Sequence, residues 1–259
     1  MNLWRYMDLP KFKRFVEQGA LYFCGARHFE DPFEGEYAWG KIGHKRYLES
    51  QKELAKRHGG GMSERDFMTI NLKTLRELAD HAYINCWYKS PHESEAMWKL
   101  YCENSSEGVL VGTTLAKLKV QLERKGLPGL EMKEVRYLPN FWVKEYNPES
   151  SVFFSKRVSF EHEKEFRAVF RNNPYNSGPP MKGKLVQVDL KEMIDTVRVS
   201  PFALPGLQKN VEEILRGAGL SCQVESSEIE MHPIMSVHEE VLEIGEGWVK
   251  SLVSLKTRS

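Results

Sequence analysis

Short strand-like runs and short helical runs follow one another irregularly along this chain of 259 residues. Apolar runs at residues 21–24 and 108–112 predict buried strands, whereas residues 9–18, with a proline near the start and a glycine after the end, predict a helix. A regular succession of strand, helix and strand would predict a parallel doubly wound sheet, and the pattern here departs from it. We therefore expect an α+β fold, in which residues 1–259 form a single domain with a mixed or split central sheet and peripheral helices.

Capping residues and apolar runs predict the remaining elements. Ser94 and Thr114 are typical N-caps, so we expect helices to begin directly after them. A further helix is predicted at residues 205–216, and further strands are predicted at residues 82–88, 134–138, 166–170, 185–188, 197–200 and 222–225.

Residues from about 40 to 81 are mostly polar and have a helical pattern, and three consecutive glycines at 59–61 divide them into two helices. Ser63, three residues before Asp66, is typical of the start of the second helix. We interpret this stretch as a polar helical insertion in the domain. It fits either an inserted lid or an ordinary surface hairpin, and the pattern favours the hairpin.

The charge balance argues against broad electrostatic capture of nucleic acid, because 37 basic side chains face 36 acidic ones. A local basic patch remains compatible with these numbers. No apolar run approaches the ~20 residues that a membrane-spanning helix needs. The first residues lack the charged and then apolar pattern of a signal peptide.

The four cysteines, Cys24, Cys86, Cys102 and Cys222, form no C-x-x-C pair and lie among apolar or strand-like neighbours. Reduced thiols in a cytoplasmic protein are the simplest interpretation. No group of cysteines and histidines has the spacing of zinc ligands, so we expect no metal site. The sequence does not determine the oligomeric state.

Three glutamates at alternating positions, Glu161, Glu163 and Glu165, precede the strand predicted at 166–170. On an extended backbone they would point to the same side, and like charges held close together resist simultaneous ionisation. Folding gains little from this arrangement, whereas a site that binds a sugar hydroxyl or a developing cation gains more. The alternative is a solvated charge run at the end of a strand. An ion pair between Glu165 and Arg167, which share a strand face, would weaken a catalytic interpretation.

Several common catalytic motifs are missing from the sequence. It contains no G-x-G-x-x-G after a strand, no phosphate-binding G-x-x-x-x-G-K-[ST], no G-x-S-x-G and no H-E-x-x-H. The sequence therefore argues against a Rossmann dinucleotide site, a P-loop and the common hydrolase centres.

A combination of motifs resembles the bacterial domain of unknown function 2971 family over most of the chain. The matching segments are Leu-Trp-Arg-Tyr at 3–6, Leu-Tyr-Phe at 21–23, Phe-Glu-Asp-Pro-Phe-Glu at 29–34, Met-Trp-Lys-Leu-Tyr at 97–101 followed by Gly-Val at 108–109, and Phe-Glu-His-Glu-Lys-Glu-Phe-Arg at 160–167. This resemblance bears on the fold and implies no activity.

The order of motifs also resembles that of ADP-ribosyltransferases, including those that modify nucleic acid. In that fold an early strand supplies an arginine or histidine, a middle strand supplies a hydroxyl or aromatic residue, and a late strand begins with a catalytic glutamate. Here Arg5 and Tyr6 come early, Trp98 and Tyr101 lie in the middle near two threonines at 113–114, and Glu163 and Glu165 come late. The chain departs from the pattern in having no clear Ser-Thr-Ser element.

This second resemblance implies NAD as a substrate and an acceptor that is nucleic acid or protein, as in a toxin or phage-defence effector. Glu165 would stabilise the oxocarbenium ion and bind a ribose hydroxyl, and Glu163 would orient the acceptor or act as its base. Arg5 or Arg27 would bind the pyrophosphate, with Asp31 in the same loop as Arg27.

An aromatic ring, that of Tyr6, Trp98 or Tyr101, would stack on nicotinamide or adenine. Trp98 and Tyr101, three residues apart on a helix, also fit an ordinary core position.

Two other functions remain open from the residues alone. In the first, the chain is a non-catalytic module that binds a nucleotide or a protein, and the glutamates are surface charge. In the second, it is a metal-dependent nuclease in which Asp31, Glu163 and Glu165 hold Mg²⁺. The nuclease ranks last, because no Asp/Glu-x-Lys motif lies at a strand end.

Overall fold

A computed structural model describes most of the chain. The described residues are 2–31, 33, 41–58, 62–102, 104–139, 152–173, 175 and 178–229. The strands are β1 (Asn2–Asp8), β2 (Ala20–Gly25), β3 (Ala82–Lys89), β4 (Gly108–Thr114), β5 (Glu131–Glu134), β6 (Arg136–Leu138), β7 (Ser155–Arg157), β8 (Glu165–Arg171), β9 (Gly183–Gln187), β10 (Thr196–Val199) and β11 (Val224–Ser226). The helices are α1 (Leu9–Gln18), α2 (Lys41–His58), α3 (Glu64–Asp80), α4 (Glu95–Tyr101), α5 (Leu115–Glu123), α6 (Leu190–Met193) and α7 (Leu207–Gly217).

The central feature is a mixed sheet in which nine of the described strands take part. Its main path runs β11-β10-β4-β1-β3-β2-β9, while β8 pairs with the other edge of β3 and β5 pairs with β8. The β10–β11 pair is parallel and the other pairs in this sheet are antiparallel. A second, two-stranded parallel sheet joins β6 to β7. This architecture confirms the α+β prediction with its mixed central sheet.

The sheet splits along one edge of β3. Near its end β3 pairs with β1, where Trp4 lies opposite Tyr88, and near its start it pairs with β2, where Cys24 lies opposite Ile84. Between these two short ladders neither β1 nor β2 pairs with β3. The split therefore opens a gap in the middle of the sheet.

Helix α1 shows how local sequence sets an element and its packing. The Asp8 carboxylate accepts the backbone N–H of Lys11 at 2.8 Å, and the helix ends at Gly19, whose φ of 56° lies in the left-handed region. Phe12, Phe15 and Val16 form its buried face. Each such side chain contributes about 1.5–3 kcal/mol to the free energy of unfolding when it is fully buried. The helix has the bounds predicted from sequence.

Other capping predictions are also confirmed. The Ser94 and Thr114 side chains cap α4 and α5, and Ser63 caps α3 by accepting the backbone N–H of Asp66 at 3.1 Å. The residues predicted to form the polar insertion include α2 and α3, and the glycines at 59–61 between them lie outside the described residues. No helix in the described part of the chain is both long and apolar enough to cross a membrane.

The prediction of one strand at 134–138 is wrong. Val135 belongs to neither strand: β5 ends at Glu134 in the main sheet, and β6 begins at Arg136 in the two-stranded sheet. The backbone N–H of Val135 donates to the Glu165 carbonyl at 2.9 Å and so continues the β5–β8 ladder by one residue, after which the chain pairs with β7 instead.

Candidate active site at the split in the sheet

A cleft of about 770 Å³ lies at the split between β1 and β2. Its volume falls in the range of small-molecule sites. The polar and aromatic side chains that line it include Arg5, Tyr6, Arg14, Tyr22, Trp87, Tyr88, Tyr101, Glu163 and Glu165. A larger depression between α1 and α7 is more open, and side chains of both charges, lysines and carboxylates, are scattered along its lining. We take the cleft at the split as the candidate site because it combines enclosure with buried charge.

Two buried glutamates form one end of the cleft together with two buried cations. Glu163 and Glu165 are each 5% exposed, Lys156 is 8% exposed and Arg167 is 0% exposed. The Lys156 ammonium donates to Glu163 and also to Glu165, the latter at 2.9 Å. Arg167 donates to both oxygens of Glu165, from Nε at 2.6 Å and from Nη2 at 3.0 Å. The sequence left open whether Glu165 and Arg167 form an ion pair, and the structure shows that they do.

The backbone brings the glutamates together by a turn rather than by strand alternation. Val158–Glu163 is a 3-10 helix, and Lys164 adopts the left-handed conformation with φ 39° before β8 begins. The prediction of an extended run through residues 161–165 is therefore wrong. Lys164 is held in the turn because its N–H donates to the Glu161 carbonyl and its own carbonyl accepts the N–H of Lys89. Glu161, which sequence grouped with the other two, is exposed.

The surroundings push the pKa values of the two carboxyl groups in opposite directions. Burial, reinforced by the hydrogen bond to Glu165, raises the pKa of Glu163 to about 7. Burial alone would raise the pKa of Glu165, but the Arg167 guanidinium beside it lowers that pKa well below its ordinary value. At neutral pH the site thus holds one permanent carboxylate next to one carboxyl group that exchanges its proton, which is the usual arrangement of an acid–base pair.

Tyr101, at the end of α4, reaches the same cluster from the other side of the cleft. Its hydroxyl group is hydrogen-bonded to Glu163, and burial together with the neighbouring carboxylates raises the pKa of the phenol. The phenol therefore stays protonated and acts as a donor toward Glu163.

Arg5 projects into the cleft without a carboxylate partner among the described residues. Its Nη2 donates a long hydrogen bond of 3.5 Å to the Tyr22 carbonyl, and its guanidinium carbon lies 5.9 Å from the centre of the Trp87 ring. Arg14 on α1 also lines the cleft and is likewise without an ion pair in the described structure. This part of the cleft therefore carries positive charge that no described carboxylate neutralises.

Arg27, the other arginine proposed for the pyrophosphate, does not line the cleft. Its Nε lies 3.3 Å from the Asp80 carboxylate at the end of α3. Asp31 is likewise outside the cleft lining, and its carboxylate pairs with Arg157 at 2.9 Å. The structure thus separates both loop residues from Arg5 and the glutamates.

The aromatic candidates divide in the same way. The Tyr6 ring lines the cleft and makes edge-on contacts with Tyr88 and with Trp98, at ring-centre distances of 5.9 Å and 5.0 Å. Trp98 is fully buried behind Tyr6 and does not reach the cleft. Of the predicted site residues, the structure brings together Arg5, Tyr6, Tyr101, Glu163 and Glu165.

Sequence reasoning missed Tyr22, whose ring forms part of the cleft wall and is 44% exposed. The Tyr22 hydroxyl donates to the Lys182 carbonyl at 3.2 Å, and the ring occupies the space where residue 183 would carry a side chain. A Cβ atom at Gly183 would lie only 2.2 Å from the Tyr22 hydroxyl oxygen. The alternation of strand β2, which points Leu21 and Phe23 into the core, was the available signal that Tyr22 faces the other way.

Sequence reasoning also missed Lys156 and Asn85. The available signal for Lys156 was its position two residues after Phe154 in an apolar stretch. Such a position favours burial, and a buried lysine needs a carboxylate partner. Asn85 is buried at the split, where its Nδ2 donates to the Tyr22 carbonyl at 2.9 Å and its Oδ1 accepts from Trp87 at 2.6 Å. Its amide group therefore takes the place of a ladder hydrogen bond that the split removes.

Among the described residues, no group of three histidine, cysteine, aspartate or glutamate side chains is arranged to hold a metal ion. Both site glutamates already face cationic side chains, and Asp31 pairs with Arg157 elsewhere. The three ligands suggested for a nuclease are therefore not together in this structure.

Comparisons with known proteins are sparse. No protein-family model and no curated protein matches the chain, so membership of the domain of unknown function 2971 family stays a prediction. Among solved structures, the chain is similar to DarT from Thermus sp. 2.9 in complex with ADP-ribosylated ssDNA, at 9% identity and a TM-score of 0.36 over 87% of this chain and 93% of that one. It is also similar to the NAD+ complex of that protein, at 9% identity and a TM-score of 0.37. Similarity to the carba-NAD+ complex is at 10% identity and a TM-score of 0.36. Both comparisons cover 87% of this chain and 94% of the other one. Likeness at this level carries no argument about function.

Proposed function

We propose that the cleft binds NAD and that the chain is an NAD-dependent ADP-ribosyltransferase. The observation that carries the proposal is the convergence of Arg5, Glu163 and Glu165 in one cleft. The guanidinium has no carboxylate partner in the described part of the chain, and the pKa values of the two carboxyl groups are shifted in opposite directions. The order of these residues along the chain matches the resemblance to ADP-ribosyltransferases described above.

The cationic part of the cleft suits a pyrophosphate. Arg5 has hydrogen-bond donors to spare with respect to the described residues, since its long bond to the Tyr22 carbonyl uses one of five. A guanidinium binds phosphate oxygens through two parallel hydrogen bonds, and Arg14 adds a second positive charge in the same cleft.

The carboxylate end suits the chemistry at the ribose. When the bond between ribose C1′ and the nicotinamide nitrogen breaks, the electron pair leaves with nicotinamide and positive charge develops on the ribose. Glu165, ionised and fixed by Arg167, would stabilise that charge. The acceptor atom then bonds to C1′, and its proton passes to Glu163, whose pKa near 7 suits a general base.

Flat rings complete the proposed site. Tyr6 and Tyr22 line the cleft, and both are held in place, Tyr22 over Gly183 and Tyr6 against Trp98. Rings held in this way offer surfaces for nicotinamide, adenine or a base of the acceptor. We propose nucleic acid or protein as the acceptor, and a role as a toxin or phage-defence effector.

The decisive experiment is nicotinamide release from NAD, measured by mass spectrometry with thermal shift in parallel, on wild type and Glu165→Gln. The matched control is Glu161→Gln, a neighbouring glutamate that is exposed and outside the cluster. We expect release from the wild type and from the control, and a loss of about 100-fold or more in Glu165→Gln, because the carboxylate acts on the transition state. Equal release from Glu165→Gln and wild type would contradict the proposal.

A non-catalytic nucleotide-binding module is the second candidate, and one observation favours it. Glu165 is already neutralised by Arg167 and Lys156, as a purely structural carboxylate would be. This candidate predicts that NAD or ADP-ribose raises the melting temperature while no nicotinamide appears. The nuclease has no such support, because its suggested ligands are apart.

A further inference from the structure

A buried carboxylate outside the cleft, Glu93, lies behind the cleft's aromatic wall. Its side chain is 1% exposed and accepts four hydrogen bonds from described residues. Oε1 accepts from Arg198 Nη1 at 2.8 Å and from the backbone N–H of Glu228 at 3.0 Å. Oε2 accepts from Trp98 Nε1 at 3.0 Å and from the Ser227 hydroxyl at 2.5 Å. Each oxygen therefore has two donors, which is full satisfaction for a buried carboxylate.

Two contacts connect Glu93 to side chains that line the cleft. Trp98, held by its hydrogen bond to Glu93, presents its ring to the edge of Tyr6 at a ring-centre distance of 5.0 Å and an angle of 89°. The Tyr6 hydroxyl accepts the backbone N–H of Ser94 at 2.9 Å, and Ser94 caps α4. Because α4 carries Tyr101 into the cleft, the positions of both tyrosines depend on this arrangement.

Arg198 supports the same wall from its other side. Its guanidinium carbon lies 5.5 Å from the centre of the Trp4 ring, and the Trp4 indole donates to the Ser90 carbonyl at 2.8 Å. The Trp4 ring packs so close to β4 that a Cβ atom at Gly112 would lie 2.8 Å from it. The aromatic wall is thus fixed between β4 and the Glu93–Arg198 pair.

The remaining donors to this network come from a segment far along the chain. Arg198 also pairs with Glu225 at 3.0 Å and with Glu228 at 2.6 Å, while Ser227 and the Glu228 backbone bind Glu93 itself. Without residues 227–228, the buried Glu93 carboxylate would lose two of its four hydrogen-bond donors. All four of these hydrogen bonds therefore form only while this segment packs against Glu93 and Arg198.

We propose that Glu93 is a positioning residue for the cleft, which holds Tyr6 and α4 in place through Trp98 and Ser94 and makes their placement depend on the docking of residues 225–228. The effect of Glu93 on NAD binding rests on the proposed function, whereas its effect on the positions of Tyr6 and α4 does not. Glu93 touches no cleft ligand itself, because Trp98 and Tyr6 lie between it and the cleft.

The Ser94 amide is a direct reporter of the wall, because its hydrogen exchanges slowly only while it is bonded to the Tyr6 hydroxyl. We would measure amide exchange by NMR in wild type, Glu93→Ala and the control Glu123→Gln. Glu123 on α5 is 54% exposed and pairs with Lys119, outside the Glu93–Arg198 network, so it controls for the loss of one glutamate charge and one ion pair. We expect exchange at Ser94 and in α4 to rise about tenfold in Glu93→Ala, with β8 and the control unchanged. Unchanged exchange at Ser94 in Glu93→Ala would overturn the proposal.

If Glu93→Ala does not fold, Ser227→Ala decides the matter. It removes one donor and leaves the charge on Glu93 paired with Arg198, so the chain keeps its fold. We expect Ser94 exchange to rise about threefold, and no rise would overturn the dependence on residues 225–228.

A kinetic readout separates positioning from general stability. If wild type turns over NAD, Glu93→Ala should raise KM for NAD about tenfold and lower kcat by a smaller factor, because Glu165 on β8 is not part of this wall, whereas Tyr101 on α4 is hydrogen-bonded to Glu163. A fall in kcat with KM unchanged would overturn the positioning role. If wild type releases no nicotinamide, the proposed function is wrong. The amide exchange of Ser94 then tests by itself whether Glu93 holds Tyr6 and α4 in place.

Discussion

The two ends of the cleft carry charge in opposite ways. At β8, every charged group has a partner of opposite sign: Lys156 bonds both glutamates, and Arg167 bonds Glu165 through two donors. At β1 and α1, Arg5 and Arg14 have no carboxylate partner among the described residues. The first end is complete without a ligand, and the second is not.

This difference separates what the two ends do. Buried, paired charges fix a conformation, since breaking one pair leaves the other partner unsatisfied. Unpaired guanidinium groups at the edge of a cleft stabilise the fold little and are available to an anion. We therefore expect substitutions that break an ion pair at the first end to lower the stability of the fold in addition to any effect on activity, and substitutions at β1 to act mainly on binding.

The largest expected effect comes from Arg167→Met. Among the described residues this change leaves buried Glu165 with one cationic partner, Lys156, so the free energy of unfolding should fall by about 3–5 kcal/mol. Arg5→Met, at the other end, should change it by only about 0.5 kcal/mol. Urea denaturation of both variants measures the contrast, and similar losses in the two would break the comparison between the ends.

The next effect is the pH dependence of stability that Glu163 causes. Its pKa is raised from 4.5 to about 7 in the folded state, so the folded state binds more protons than the unfolded state between these values. The free energy of unfolding should therefore fall as pH rises from about 4.5 to about 7, by at most about 3.4 kcal/mol. Glu163→Gln should remove this slope.

Urea denaturation at a series of pH values, with wild type and Glu163→Gln side by side, isolates the contribution of Glu163 from those of other groups. Glu165 contributes in the opposite sense, because its pKa is lowered: its contribution is present above the ordinary pKa of a glutamate and is lost as pH falls. Equal slopes in wild type and Glu163→Gln would show that Glu163 titrates as an ordinary surface carboxyl group.

Loss of anion binding in Arg5→Leu is the third prediction. We expect ADP-ribose to bind about 10- to 100-fold more weakly, because charge-assisted hydrogen bonds to the pyrophosphate are lost. Calorimetric titration measures this, and Arg27→Leu is the control, since Arg27 faces Asp80 outside the cleft. Weaker binding in the Arg27 variant, with Arg5→Leu unaffected, would move the anion site to the loop after β2.

The smallest effect concerns the turn between the two glutamates. Lys164→Gly should raise the free energy of unfolding by about 1 kcal/mol, because φ 39° is strained for lysine and free for glycine. The midpoint of urea denaturation measures it. A decrease would mean that the lysine side chain itself stabilises the charged end of the cleft.

The elements that sequence predicted well are those set by neighbours along the chain. For α1, the cap Asp8, the first-turn proline and the closing Gly19 lie within about three turns of one another. The caps of α4 and α5 are equally local, since Ser94 and Thr114 accept from amides three residues later. Such signals can be read from one short window of sequence.

The composition of the site needed contacts that no short window contains. Arg5 and Glu165 belong to one cleft because β3 pairs with β1, β2 and β8, and this three-way pairing has no local signature. The turn at Lys164 is fixed by Lys89 on β3, so the extended prediction for 161–165 failed for the same reason. The sequence left open whether Trp98 is a stacking ring or a core residue. In the structure it is core, and its partner Glu93 is held by residues 105 or more positions later.

The split in the sheet also determines how the cleft responds to force. Strands β1 and β2 are both attached to β3 through short ladders, and the Asn85 amide bridges from the middle of β3 to β2. Moving β1 and β2 apart would strain both ladders at once. The cleft therefore cannot widen by a hinge motion without breaking backbone hydrogen bonds. A ligand must therefore enter along the rim, and the width of the cleft is as stiff as the sheet that contains it.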